Sequence, residues 1–305
     1  MRAERISVLA AFLKFCLASG LRGSSRLTFL LARKFKSLQE VPVQIADWST
    51  LYIDLRMENS HALLVNAPYI KPFRELDEIR IMERFVRVSD VAFDIGANIG
   101  LHSILLSRLI GPQGRLFAFE PNPELIPALK RTISELGNAT LEELALSDKN
   151  SESLLFVPPD DSMGSLADWT KDAEVGNSHT VSCREYRIDD LIEKGRLPQP
   201  NFIKCDVEGA ELLVFRGARQ TLERPDAPLI MFEINKPASS AFGFAATAAV
   251  DFLAVLKNPN YRFFDVISGL SLQPTDMNDS FRNVLAVPLA RISFWPELQN
   301  LPVTC

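Results

Sequence analysis

The chain has 305 residues, 47% hydrophobic and 23% charged, with a formal net charge of −5. That composition excludes a disordered, collagen-like or coiled-coil chain and fits a large α/β domain with an appendage. The four cysteines, Cys16, Cys183, Cys205 and Cys305, show no metal-ligand or disulfide-framework spacing. A reducing compartment, the cytoplasm, is expected.

Charge is unevenly placed. Residues 1–40 hold eight basic and two acidic residues, net +6, and the remainder holds 25 and 36, net −11. Within this basic arm, Ile6, Leu9, Leu13, Cys16 and Leu17 recur at helical spacing, and Phe12 and Phe15 widen the stripe. Gly20 and Gly23 end that helix, and Ser24 or Ser25 caps a second carrying Leu27, Leu30, Leu31 and Phe35. Lys14 interrupts the apolar run well short of the ~20 residues that span a bilayer. Three readings of the arm stand: a helical appendage packed on the body or on a second subunit, a peripheral membrane contact through basic and aromatic residues, and a cleaved signal or anchor.

Residues 41–85 read as a β-hairpin and helix lead-in. Short β-like runs at Val43–Ile45, Leu51–Leu55 and Leu63–Val65 are separated by polar breaks at Asp47–Thr50 and Glu58–Ser60, and a helix follows over Glu75–Val86. From residue 86 to 290, strands alternate with helices. The strands are Val91–Ile95, Leu116–Phe119, Leu141–Leu146, Phe202–Cys205, Leu229–Phe232, Phe263–Val266 and Val284–Val287. The helices are Leu101–Leu109, Pro123–Leu136, Glu211–Leu222 and Val250–Leu256. This rhythm implies a mostly parallel sheet with helices on both faces. Residues 158–180, rich in Pro, Asp, Gly and Ser, read as a long loop of the lid or binding kind. Residues 291–305 form a tail.

In open α/β sheets, ligands bind beyond the carboxyl ends of the strands. Asp94, Glu120, Asp206 and Glu233 with Asn235 stand at such ends. The loop Asp94-Ile95-Gly96-Ala97-Asn98-Ile99-Gly100 departs from the dinucleotide fingerprint, because Asn98 replaces the glycine that lets backbone approach a pyrophosphate. An acid at the strand end repels phosphates and suits a cationic ligand. Glu120, at the end of the next strand, is placed to accept hydrogen bonds from a ribose diol. A nucleoside with no phosphate grip and a positive centre describes S-adenosylmethionine, whereas NAD satisfies only the ribose condition.

Six motifs fall in order: Phe93-Asp94-Ile95-Gly96-Ala97-Asn98-Ile99-Gly100, Ala118-Phe119-Glu120-Pro121-Asn122-Pro123, Ala145-Leu146-Ser147-Asp148, Ile203-Lys204-Cys205-Asp206-Val207-Glu208-Gly209-Ala210-Glu211, Phe215-Arg216-Gly217-Ala218 and the closing Asn283-Val284-Leu285-Ala286-Val287-Pro288. Over about residues 86–290 the chain resembles the FkbM family of methyltransferases. The resemblance implies a class I, Rossmann-like methyltransferase fold: a mostly parallel seven-stranded sheet whose last strand runs antiparallel. It places Asp94, Gly96, Ala97, Asn98 and Gly100 around the methionine end of the cofactor. Glu120 would then hold the ribose with Pro121 and Asn122 shaping the pocket, Ala145–Asp148 would approach the adenine, and Asp206 would face the methyl-transfer centre. The family is similar to enzymes that O-methylate sugars, polysaccharide residues and secondary-metabolite hydroxyls. Two segments depart from the family pattern: Tyr186-Arg187-Ile188-Asp189-Asp190, and Tyr69–Glu75 with its Lys71-Pro72.

Methyl transfer to an alcohol needs alignment, exclusion of water and a base for the hydroxyl proton. Asp206, Glu208 and Glu233 are the candidates in that order. Asp206 with Glu233 and Asn235 is also an oxygen set suited to Mg²⁺ or Ca²⁺, although a metal-free site is the main expectation. His102 reads as a packed or capping residue rather than a base, and His61 and His179 carry no assigned role. Trp169, Phe242 and Phe244 are candidate platforms for a sugar face, on the long loop and on the 236–244 insert. The acidic body and the Asp206-Val207-Glu208-Gly209 run argue against a nucleic-acid acceptor. A degenerate fold serving as a binding module through residues 1–40 remains the non-enzymatic alternative.

Overall fold

A computed structural model describes residues 6–46, 49–66, 76–158, 164–169, 178–273 and 281–292. The Tyr69–Glu75 segment, Trp48, most of the 158–180 loop, Cys305 and the tail beyond residue 292 lie outside them.

The central sheet grows from short apolar runs. Its parallel strands are β3 (Val91–Ile95), β4 (Arg115–Phe119), β5 (Ala139–Glu142), β9 (Phe202–Cys205) and β10 (Leu229–Asn235). β13 (Phe281–Pro288) pairs antiparallel with β10 and with β11 (Tyr261–Asp265), and two-residue β12 (Ser271–Leu272) closes the edge. The spatial order β12-β11-β13-β10-β9-β3-β4-β5 places the reversal of winding between β3 and β9, where a crevice opens. The sheet thus has the expected seven strands plus a short eighth at its edge.

Side chains alternate across a sheet with period two, and both faces here are covered. Phe93, Ile95, Ile203, Cys205, Ile230 and Phe232 enter one core. It is packed by α7 (Ile188–Glu193), α8 (Glu211–Gly217) and α11 (Ala248–Ala254). Ala92, Phe202, Leu229, Met231 and Leu285 enter the other, under α4 (Leu76–Phe85) and α5 (Leu101–Ile110). α6 (Ile126–Ser134) follows β4.

Several local expectations change. The Leu63–Val65 run is part of helix α3 (Glu58–Asn66), not a strand. A three-residue apolar run has no period of its own, and here the helical face of Met57, Ser60, His61 and Leu64 is buried. The Leu141–Leu146 run breaks at Glu143–Leu144. Its second half, β6 (Ala145–Leu146), joins a separate three-stranded sheet with β7 (Ser151–Val157) and β8 (His179–Tyr186). The 236–244 insert is helix α10 (Lys236–Ala241), capped by Asn235 Oδ1 accepting from the Ala238 amide at 3.2 Å.

The amino-terminal part packs as α1 (Val8–Ala18), α2 (Ser24–Lys34) and the hairpin β1 (Val41–Ala46)–β2 (Ser49–Ile53). Leu13, Ala32, Leu51, Ile53 and Leu64 share one core with Ile104 of α5. The Tyr52 amide also donates to Thr132 Oγ1 of α6 at 3.1 Å. Residues on both sides of position 40 therefore build one core, and that core rests on the central body. No helix among the described residues is long and apolar enough to cross a membrane.

Candidate active site

A cleft of about 530 Å³ opens beyond the carboxyl ends of β3, β4 and β9. Its floor is the glycine loop, Gly96 to Ile99, with Lys204, Asp206, Val207 and Glu208. One wall is apolar: Phe119, Pro121, Leu125, Leu144, Ala145, Leu146 and Leu155. The opposite side is α3, whose Asn59, Ala62, Leu63 and Asn66 follow the spacing of a single helix face. Gly164, Ser165 and Leu166 of the long loop complete the rim, held by Ser165 Oγ donating to the Glu208 carbonyl at 2.7 Å.

Gly96 is required by close approach. It has φ +78°, and a Cβ there would lie 1.8 Å from the Asp206 carbonyl oxygen. The loop is thereby pressed against the end of β9. Gly100 (φ +90°), expected around the methionine end of the cofactor, does not line the cleft. A Cβ there would meet Leu129 Cδ1 at 2.9 Å, so the close packing is with α6, not with a strand.

Glu120 is buried, and its carboxylate accepts from the amides of Asn98 and Asn122, both at 2.9 Å. Burial, only partly offset by those two amides, pushes it up to about 7. Asn122 is 1% exposed, and its Nδ2 has no hydrogen-bond partner. A buried amide donor without an acceptor costs free energy unless a ligand supplies one. It lies beside a carboxylate in a cleft with an apolar slot. This donor and acceptor set fits a nucleoside: hydroxyls for Glu120, a ring or hydroxyl acceptor for Asn122, and a planar base against Leu144, Ala145, Leu146 and Leu155.

Asp94 is fully buried and lies beneath the cleft rather than in its lining. Ser103 Oγ donates to its Oδ2 at 2.6 Å, and Lys204 Nζ lies 3.8 Å from its Oδ1. Lys204 is the residue that sequence reasoning passed over. It pairs in register with Asp94 across adjacent parallel strands, and its ammonium also reaches Asp206 Oδ2 at 3.2 Å. Burial alone would lower its pKa, but Asp206, Asp94 and Glu78 outweigh burial and raise it. Lys204 therefore stays a cation in the floor of the cleft. Glu78 of α4 belongs to the same polar layer. It approaches His102 Nε2 at 3.1 Å and accepts from Asn283 Nδ2 of β13. His102, which lines the cleft, is thus packed against a carboxylate.

The three candidate bases come together. Asp206, Glu208 and Glu233 each offer an oxygen within 4.8 Å of the others. Asp206 and Glu208 line the cleft, and Glu233 does not. Glu208 has a left-handed backbone (φ 51°) and accepts from Asn235 Nδ2 at 2.9 Å. Asn235 Oδ1, the atom a cation would need, is taken by the α10 cap, and the oxygen cluster among the described residues is Asp206, Glu208 and Glu233. Burial, then the charges of Asp206, Glu208 and Glu211, raise Glu233 well above the carboxylate range. That shift favours its protonated form. Glu211, buried and accepting from the Val207 amide at 3.0 Å, is pushed up to about 7.

The aromatic platforms are elsewhere. Phe242 and Phe244 stack on each other with centroids 5.9 Å apart, and Arg216 covers Phe244. Neither they nor Trp169 lines the cleft. His61 Nε2 faces the Leu55 carbonyl at 2.9 Å, and His179 pairs with Glu124 at the surface.

A sheet in which β3, β4, β5, β9, β10 and β11 run one way and β13 runs antiparallel between β10 and β11, with a cleft that fits a nucleoside at the winding reversal, defines a class I S-adenosylmethionine-dependent methyltransferase fold. The chain belongs to the methyltransferase FkbM domain family, whose model matches residues 94–263. It is similar to the hexuronic acid methyltransferase AglP of Haloferax volcanii, 32% identical over 149 residues, which are 49% of this chain and 58% of that protein. It is also similar to the 2-O-methyltransferase NoeI of Sinorhizobium fredii, 25% identical over 158 residues, 48% of this chain and 64% of that protein. The chain thus spans about three fifths of the length of these curated relatives. Among solved structures, the precorrin-6y C5,15-methyltransferase of Geobacter metallireducens aligns over 72% of this chain and 93% of its own, at 15% identity and a TM-score of 0.40.

Proposed function

We propose that the chain transfers a methyl group from S-adenosylmethionine to a hydroxyl of a sugar, a polysaccharide residue or a secondary metabolite. The observation that carries this reading is Glu120 fixed by two backbone amides, beside the partnerless Asn122 amide, in a cleft whose one lysine or arginine among the described lining residues, Lys204, is engaged by Asp94 and Asp206. Sugar-type acceptors are favoured because the similar proteins are named for a hexuronic acid and for a 2-O position. An acid-lined rim disfavours a phosphate backbone. Three buried, unpaired thiols, Cys16, Cys183 and Cys205, fit a reducing compartment such as the cytoplasm.

When bound, S-adenosylmethionine supplies an already activated methyl on a sulfonium, and the electron pair of the broken carbon–sulfur bond returns to sulfur. The chain's own residues do the rest. Glu120 and Asn122 would hold the nucleoside, and Leu144–Leu146 with Leu155 would flank its base. Alignment and exclusion of water lower the barrier by up to about 7–11 kcal/mol in favourable intramolecular models. Asp206, at the cleft surface and oriented by Lys204, takes the acceptor's hydroxyl proton at Oδ1 or Oδ2 as the new carbon–oxygen bond forms. Glu208 is the second choice. Glu233, whose protonated form is favoured, limits the negative charge of the cluster.

The test is calorimetric titration with S-adenosylmethionine, S-adenosylhomocysteine and NAD, followed by radiolabelled methyl transfer to a panel of hexoses, hexuronic acids and nucleic acids. Binding of the two sulfur ligands with transfer to the sugars is expected. Binding of NAD alone would reject the donor, and transfer only to nucleic acid would reject the acceptor.

A further inference from the structure

α1 is apolar nearly all the way round. Lys14 is the one charged residue in its eleven, yet only the face carrying Ala10, Leu13 and Cys16 is buried. A helix hydrophobic on every side is expected to be covered on every side. Instead Val8, Phe12 and Phe15, at i, i+4 and i+7, stand 88%, 53% and 67% exposed. Leu27 and Leu30, one turn apart on α2, do the same, and Leu21 projects from the turn between the helices. Eight of the fifteen exposed large hydrophobic side chains among the described residues fall between Val8 and Phe35. Scattered exposed leucines need no explanation, but a concentration of this kind marks an interaction surface.

Charge decides what covers it. Residues 6–39 contain no aspartate or glutamate and six cations: Lys14, Arg22, Arg26, Arg33, Lys34 and Lys36. Arg33 lies over the Phe29 ring, and Lys34 over Phe35, so cations and aromatics share the same surface. A second copy docked through this face about a two-fold axis would set this cationic patch beside its own copy, a like-charge contact that disfavours self-association. An anionic lipid surface meets both features, with apolar rings entering the acyl boundary and cations at the headgroups. An eleven-residue helix is about 16 Å long. That is half the hydrocarbon thickness, so it can lie in the interface but cannot span it.

We infer that the α1–α2 hairpin is a peripheral membrane-binding element that docks on anionic bilayers. It packs on α3, whose opposite face lines the cleft, so the docking surface and the active site are separated by a single helix. The inference stands apart from the methyl-transfer reading and is tested without turnover.

The full-length chain is sedimented with vesicles of pure phosphatidylcholine and with vesicles containing phosphatidylglycerol. Partition to the anionic vesicles alone is expected, falling away at ~1 M salt, where the screening length is about 3 Å. The Phe12→Ser/Phe15→Ser double variant should lower partition about tenfold or more. The Arg26→Gln/Arg33→Gln/Lys34→Gln variant should lower it about a hundredfold. Both substitute exposed side chains, and an unchanged melting temperature shows that they remain folded. Absence of partition by the wild type overturns the inference. So does partition that neither variant reduces. If the wild type instead scatters light as a dimer that Phe12→Ser/Phe15→Ser dissociates, the face is an interface between copies and the inference also fails.

Discussion

The two halves of the active-site rim use the same residue type for opposite ends. At β3 and β4, each carboxylate has partners of its own: two backbone amides on Glu120, and on Asp94 the Ser103 hydroxyl with the Lys204 cation nearby. At β9 and β10, three carboxylates crowd within 4.8 Å of one another, and the repulsion is relieved by Lys204, by Asn235 and by a proton on Glu233. The first arrangement gives each acid protein partners of its own. The second gathers acids that share their neutralising groups. On the proposed reading, donor binding falls to the first pair of strand ends and proton chemistry to the second, and Lys204 reaches Asp94 in one and Asp206 in the other.

Breaking the proton half should cost the most turnover. Asp206→Asn is expected to lower kcat by about 10²–10⁴-fold while S-adenosylhomocysteine affinity changes little, because only the base is removed. Comparable losses in both would return Asp206 to the donor half. Excess EDTA should leave the wild-type rate intact, since Lys204 and a proton already offset the cluster's charge. Loss of activity that Mg²⁺ restores would instead make the three acids a cation site.

Lys204→Met attacks the residue common to both halves. It leaves Asp94, fully buried, without its counter-charge. Removing one partner of a buried pair typically costs about 3–5 kcal/mol, read here as a lower urea midpoint at unchanged slope. Glu120→Ala belongs to the donor half alone. Loss of a charged hydrogen-bonding group of about 1.5–3 kcal/mol corresponds to a roughly 10- to 150-fold weaker cofactor affinity. The turnover of saturated enzyme should fall far less. A kcat loss as large as that of Asp206→Asn would deny the division.

Much of this arrangement is written in strand alternation. Ala92 and Asp94, Phe202 and Lys204, Met231 and Glu233, and Leu285 and Asn283 each lie two apart, so every one of these polar groups shares a face with an apolar neighbour of the α4–α5 core. The acids at strand ends were legible because strand ends are where ligands bind. Lys204 was not, because a lysine inside Phe-Ile-Lys-Cys has no meaning until the register sets it opposite Asp94. Glu78 was hidden for a related reason: it reaches the site from a helix whose apolar stripe says only that it packs. The Leu63–Val65 run reads as a strand and Glu58–Ser60 as a turn, so nothing there hints that the appendage forms a wall of the cleft. The β7–β8 hairpin was missed because its partner strand β6 is only two residues long and its two strands are separated by a long loop. The aromatic platforms failed because residue type alone does not say which wall a ring joins.

The smallest effect is the most specific to the comparison. In the folded chain Glu120 and Glu211 are pushed up to about 7 from 4.5, by burial first, and Glu233 is raised further. The folded state therefore binds more protons than the unfolded chain between these values. Stability falls as pH rises wherever the folded state holds the extra proton. The unliganded protein should accordingly melt at a lower temperature at pH 7 than at pH 5.5. Cofactor affinity should run the other way, because ribose hydroxyls need an ionised Glu120 as acceptor. Below pH 7 the competent fraction drops about tenfold per unit, and apparent affinity with it. The rise in melting temperature produced by S-adenosylhomocysteine should then grow from pH 6 to pH 8 even as the unliganded value declines. In Glu120→Gln that growth should vanish, while the decline persists through Glu211 and Glu233. If the growth survives the substitution, the titrating group lies in the crowded half of the rim, and the donor half is not the self-contained unit described above.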